Sequence, residues 1–244
     1  MLCLLPGPLP AGEARVAVAA NFLGVLRDLA PAFTAASGHR LKISAGSTGK
    51  LYAQIRNGAP FDVFLAADAE RPQRLEREGL AVAGSRITYA VGRLVLWSPR
   101  PDRFDDGLVW LRAGEFRRIA LANPATAPYG RAARQFLEGH RLWRALSARL
   151  VRGESVAQAF QFVATGAVDA GFVALAQLRS GAVRGGSRWP VPARLHDPIE
   201  QQAVLLARGA ANPAARAFLA FLRAPATRER IVAAGYDPPN DDRP

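Results

Sequence analysis

From Arg15 to Leu80, short apolar runs alternate with amphipathic helical stretches, and only a few residues separate one from the next. Residues 15–20 (Arg-Val-Ala-Val-Ala-Ala) read as a buried strand, after which Leu23, Leu26, Leu29, Ala30 and Phe33 recur at the spacing of one helix face. Residues 40–44 form a second strand, followed by a helix opened at Gly49 and continued through Leu51 and Ile55. Residues 62–66 form a third, with a helix containing Leu75 and Leu80 behind it. Strands joined through helices pair in parallel, and right-handed crossovers put the helices on both faces. The fold class is therefore α/β, doubly wound.

Beyond Thr88 the spacing changes. Residues 94–97, 119–122 and 170–173 give further strands, with helical patterns between Gly130 and Trp143 and between Val156 and Thr165. A Pro- and Arg-rich stretch, 185–198, precedes a strand at 200–206, and helices at 214–222 and 225–234 follow. The last opens on Pro225, whose fixed φ suits a first helical position.

Half of the 244 residues are hydrophobic and 21% are charged, a globular composition. The net charge of +12 is almost all arginine, Lys42 and Lys50 being the only lysines. The arginines are scattered, in no run longer than two, so the basic stripe of a nucleic-acid-binding protein is missing. Their summed field steers anions toward the protein. The only cysteine, Cys3, lies in an apolar segment, 1–12, that reads as the tail of a secretory signal peptide ending near Ala11 or Ala14; a plain unstructured terminus is the alternative. Residues 1–13 are assigned to this leader.

Four stretches place a small hydroxyl, amide or glycine residue just ahead of an amphipathic helix. They are Ala20-Asn21-Phe22, Gly46-Ser47-Thr48-Gly49, Ala127-Pro128-Tyr129-Gly130 and Glu154-Ser155-Val156. A helix N-terminus exposes N–H groups that lack intrahelical acceptors, and its dipole makes that end partly positive. In doubly wound sheets such ends gather outside the carboxyl ends of the strands. Singly, each is an ordinary cap; aimed at one cleft, the four make a neutral cage of donors for an oxyanion.

Catalytic groups are sparse. Residues 47–50 match S-x-x-K, in which a lysine activates a serine, but neither lysine is followed by the Thr-Gly of the companion motif. A phosphate-binding P-loop would need Gly at Ser44 and a hydroxyl residue at Leu51. His39, His140 and His196 lie outside metal-ligand spacing, and His39 is expected to complement the dipole at a helix end. Asp62 and Asp68 are too far apart along strand and turn to work as a pair; Asp68 reads as a cap and Asp169 as a turn residue. Trp97, Trp110, Trp143 and Trp189 are expected in the core or between lobes.

Five segments, in order, resemble the periplasmic molybdate-binding proteins of ABC importers. They are Val18-Ala19-Ala20-Asn21-Phe22, Gly46-Ser47-Thr48-Gly49-Lys50-Leu51, the run from Asn57 to Asp68, Ala122-Asn123-Pro124 with Ala127-Pro128-Tyr129-Gly130, and the run from Gly171 to Gln177. The resemblance covers the chain from about Arg15 to Tyr236. It implies a type II periplasmic-binding fold, two doubly wound α/β lobes with a ligand cleft between them. Residues 14–88 and 200–244 would form one lobe and 89–199 the other, hinged near residues 88–90 and 200–202.

Carried over residue by residue, Asn21 stands at the first-helix donor position, and Thr48 at the second-turn hydroxyl with Ser47 beside it. Tyr129 takes the place of a phenolic donor and Val156 that of a backbone N–H. Another subgroup draws a tyrosine from the Gly-Phe-Val segment, where this chain has Ala174, so the phenol falls to Tyr129. The implied function is capture of molybdate or tungstate as an intact oxyanion, without cofactor or catalysis, by a periplasmic monomer that delivers it to a membrane permease. A receptor for sulfate or phosphate on the same fold is the alternative.

Overall fold

A computed structural model describes residues 11–181, 183 and 185–239; Cys3 and nearly all of the expected leader lie outside the described residues. The opening alternation appears as β1 (Glu13–Ala19), α1 (Leu23–Ser37), β2 (Arg40–Gly46), α2 (Thr48–Arg56), β3 (Val63–Ala66) and α3 (Glu70–Arg77). Then come β4 (Ile87–Gly92), β5 (Leu94–Ser98), α4 (Gly107–Ala113), β6 (Ile119–Ala122), α5 (Pro128–Gly139), α6 (Leu142–Leu146), β7 (Leu150–Gly153) and α7 (Val156–Ala164). The chain continues through β8 (Ala170–Ala174), α8 (Leu175–Arg179), β9 (Ser187–Pro190), β10 (Ile199–Leu205), α9 (Pro213–Arg223) and α10 (Pro225–Ala233).

Two five-stranded sheets share one plan. The first runs β2-β1-β3-β10-β4, the second β7-β6-β8-β5-β9. In each, four strands run one way and one runs against them: β1 lies parallel to β2 and β3 while β10 opposes β3 and β4, and β6 lies parallel to β7 and β8 while β5 opposes β8 and β9. Both faces of each sheet are covered, which is why their inner strands read as unbroken apolar runs. In β1, Val16 and Val18 enter one core with Phe22 and Phe218, while Ala17 enters another with Leu51 and Phe64. In β5, Leu94 and Leu96 face Phe136 and Phe172, while Val95 and Trp97 face Phe160, whose ring stacks on Trp97 at 5.3 Å.

The chain passes between sheets at Arg93 and again over residues 191–198. The expected hinge trios are not at these crossings. They sit inside the first sheet and pair with each other, Gln201 opposite Ala90 and Gln202 opposite Thr88, with a bulge between the two glutamines. The helical pattern between Gly130 and Trp143 is broken, because Arg141 adopts a left-handed φ of 60° between α5 and α6. The 185–198 stretch contains an unforeseen strand, β9, at a sheet edge where Pro190 removes no needed ladder bond. The four tryptophans all belong to the second sheet's cores or pack against them.

Candidate functional site

The strand ends and helix starts converge. β1, β2, β6 and β7 finish where α1, α2, α5 and α7 begin, and the turns between them line one small cavity between the sheets. Residues 19–21, 46–48 and Ala67 contribute from one side, and 127–129, Ser155 and Val156 from the other. Asn21, Ser47, Thr48, Tyr129 and Val156 are thus brought together, each nearly or fully buried. None of the lining residues is charged. An anion here would meet fixed dipoles rather than a counter-charge.

The donors differ in how they are held. Val156 opens α7, and its N–H finds no acceptor among the described residues, as expected of a first-turn amide. Ser155 spends its hydroxyl on its own helix, accepting from the N–H of Gln158 at 3.3 Å. Ser47 behaves otherwise. It occupies the N-cap position of α2 without capping it, and its Oγ is buried with no partner. Thr48 Oγ1 accepts from the N–H of Ala67 at 3.0 Å, which leaves its own proton to donate. The resemblance placed the weight on Thr48, whereas Ser47 holds the fully unpartnered hydroxyl.

Asn21 contributes through its main chain. Its N–H has no acceptor among the described residues, while its side-chain amide donates to Gln201 Oε1 at 2.8 Å and to the Tyr236 hydroxyl at 2.9 Å. Tyr236 in turn donates to the Asn21 carbonyl at 3.0 Å. The Tyr129 hydroxyl lies beside Tyr236 and Asn21 yet makes no hydrogen bond of normal geometry. Complete burial, and then the nearby Tyr236, push its pKa well above the usual tyrosine value, so it remains a protonated donor.

Contacts across the cleft mouth draw the two sides together. The Gly49 N–H donates to the Thr126 carbonyl at 2.8 Å. Lys50 pairs with Glu154 at 2.5 Å, and Arg131 reaches Asp68 at 3.3 Å and Glu70 at 3.1 Å. The ammonium of Lys50 is therefore engaged with a carboxylate, and no hydrogen bond joins it to Ser47. The pairing an S-x-x-K nucleophile requires is missing.

Asp68 accepts from the N–H of Arg71 at 3.1 Å, a capping contact, and Asp62 from that of Arg15 at 2.7 Å, well apart from it. Asp169 takes the N–H groups of Arg117 and Arg118 at 2.9 and 3.0 Å. His39 does not complement a helix dipole. Its ring is buried, and Nδ1 accepts from the Gly12 N–H at 3.0 Å. Among the described residues no cluster of three or more His, Cys, Asp or Glu side chains is placed to hold a metal ion.

Gln201, Tyr236 and Gly92, which stand directly behind the donors, carried no motif in the sequence. The alternation of Glu200 to Leu206 shows a strand, but not that one of its glutamines faces Asn21 from far along the chain.

Residues 14–237 match the family model described as bacterial extracellular solute-binding protein. The chain is 52% identical to the molybdate-binding protein ModA of Azotobacter vinelandii, over 93% of this chain and 90% of that one. It is 45% identical to ModA of Rhodobacter capsulatus, over 94% and 90%. Its structure superposes on that of the A. vinelandii periplasmic molybdate-binding protein with a TM-score of 0.89, at 44% identity, covering 93% of this chain and all of the other. With its two matching α/β sheets and a neutral cavity between them, this chain belongs to the bacterial extracellular solute-binding proteins and has their type II fold.

Proposed function

We propose that this protein captures molybdate, and tungstate with it, as an intact dianion in the cavity between its lobes, and delivers it to the permease of an ABC importer. One observation carries the reading: every residue around the cavity is uncharged, while residues at four helix starts line it, among them Ser47 and Tyr129 with buried, unpartnered hydroxyls. Molybdate and tungstate are fully deprotonated at neutral pH and accept hydrogen bonds at every oxygen. Asn21 and Val156 supply main-chain N–H groups, Ser47 and Thr48 hydroxyls, and Tyr129 a phenol. A protonated oxyanion such as hydrogen phosphate is disfavoured because its own O–H meets mostly donors.

As a solute-binding protein the chain holds its ligand without turning it over. Residues 13–92 with 199–237 form one lobe in this reading and 94–190 the other, closing about Arg93 and residues 191–198. The protein works as a monomer in the periplasm. No helix among the described residues is long and apolar enough to cross a membrane.

The test is calorimetry on anion-free protein with molybdate, tungstate, sulfate and phosphate in turn. Saturable one-to-one binding of the first two, with little heat from the others, is the expected result. A preference for sulfate or phosphate would reassign the ligand, and silence from all four would overturn the site.

A further inference from the structure

The seat behind the two buried donors has no assigned role. Gly92 ends β4, one residue before the chain crosses to the second lobe, and its φ lies outside the left-handed range that would demand glycine. Its reason is steric. A β-carbon there would stand 2.3 Å from the Tyr129 hydroxyl, 2.9 Å from the ring carbon that bears it, and 3.0 Å from Gln201 Nε2. Tyr129 starts α5 in the other lobe, so a second-lobe side chain is received by the bare backbone of a first-lobe strand.

Next to it, Asn21 is gripped from two sides. Gln201 is fully buried, and its amide is used at both ends, Oε1 by Asn21 and Nε2 by the Ile199 carbonyl at 3.2 Å. The Tyr236 hydroxyl accepts from the Asn21 side chain and donates to its carbonyl. Fixing both its side chain and its carbonyl holds Asn21 in place at the cavity wall, with its N–H free of any acceptor among the described residues.

We propose that Gly92, Gln201 and Tyr236 are positioning residues for oxyanion capture: Gly92 makes room for the Tyr129 hydroxyl, and Gln201 and Tyr236 aim the Asn21 N–H. None of the three lines the cavity. A hydrogen bond to an anion is lost steeply as its donor turns away, so displacing the phenol or the amide weakens binding with every ligand-contacting residue still present. The proposal rests on the oxyanion reading above.

The experiment is a double-mutant cycle between Gly92→Ala and Tyr129→Phe, with molybdate affinity and the melting temperature of ligand-free protein as paired readouts. Gly92→Ala in the natural background is expected to weaken molybdate by about tenfold or more, and by several-fold less once Tyr129 is phenylalanine, where only the closest clash, with the hydroxyl, is gone. In the ligand-free melts, the added methyl should destabilise less in the phenylalanine background. Equal losses in both backgrounds, or no loss in either, would overturn the role of Gly92.

Tyr236→Phe provides a second arm that adds no bulk; it should weaken molybdate by about fivefold or more through the loss of one clamp. Unchanged affinity in that variant would overturn the clamp. The two readings fail separately. If the unmutated protein binds none of the four oxyanions, the ligand assignment falls, while the melting cycle still reports whether Gly92 seats Tyr129.

Discussion

Gly49 donates its N–H to the carbonyl of Thr126 at 2.8 Å, and a β-carbon on Gly49 would lie 2.9 Å from that same oxygen. The contact joins α2 of one lobe to the turn before α5 of the other, and glycine alone lets two backbones approach so closely.

Gly49→Ala should therefore hinder closure. Both nearest atoms are backbone, so neither can rotate aside. The expectation is an affinity loss of about tenfold or more, equivalent to about 1.4 kcal/mol. Small-angle scattering should show the variant failing to become as compact with molybdate as the unmutated protein. Equal compaction would show that the lobes tolerate the methyl.

The two adjacent hydroxyls make opposite predictions. Ser47 Oγ is buried and unpartnered, so Ser47→Ala removes an orphaned polar atom and should leave the ligand-free melting temperature level or higher. Its oxyanion affinity should fall by about 1–3 kcal/mol, the usual penalty for a buried acceptor left unpaired. Thr48→Val also breaks the bond from the Ala67 N–H, so it should lower both stability and affinity. Calorimetry with a thermal melt separates the cases, and a Ser47→Ala variant that binds normally would remove Ser47 from the site.

Alkaline pH should destabilise the fold. Burial raises the pKa values of Tyr89, Tyr129 and Tyr236 above the ordinary tyrosine value, with the neighbouring Tyr236 adding to the first two. The folded state keeps these phenols neutral, whereas the unfolded chain ionises them near pH 10. Their contribution is thus complete below that pH and is lost as pH rises through it, by up to about 1.4 kcal/mol per tyrosine per pH unit. Urea unfolding between pH 8 and 11 should show this slope. Tyr89→Phe, which deletes an unpartnered hydroxyl, should flatten it.

Of the ion pairs across the mouth, Arg131 with Asp68 should matter more than Lys50 with Glu154. The side chain of Asp68 is 12% exposed, while those of Lys50 and Glu154 are 52% and 60% exposed. Exposed pairs contribute about 0–1 kcal/mol and are screened by salt. Stopped-flow measurement should find faster oxyanion release from Arg131→Ala and little change from Lys50→Ala. The reverse order would place the closing force at the outer pair.

The first half of the fold was legible because Val16 to Ala19 and Val63 to Ala66 are buried on both faces and strongly apolar, with helical periodicity between them. β9 was not, since an edge strand needs only one paired side and tolerates Gly and Pro around it. At the site, the helix starts were visible as local chemistry. Which hydroxyl stays unpartnered was not, because that depends on Ala67 meeting Thr48 rather than Ser47. The seat of Tyr129 was equally hidden, for a glycine inside a strand shows nothing of the ring that excludes its side chain.

The interleaved order of the first sheet has a consequence for how the protein comes into being. β10 stands between β3 and β4 and pairs Leu65 with Ala203, so that sheet stays incomplete until most of the chain has been synthesised. Closing so long a loop before its contacts repay the entropy makes folding slow. Because β10, the one strand running against its neighbours, emerges late in translation, this topology holds the first lobe open while most of the chain is being made.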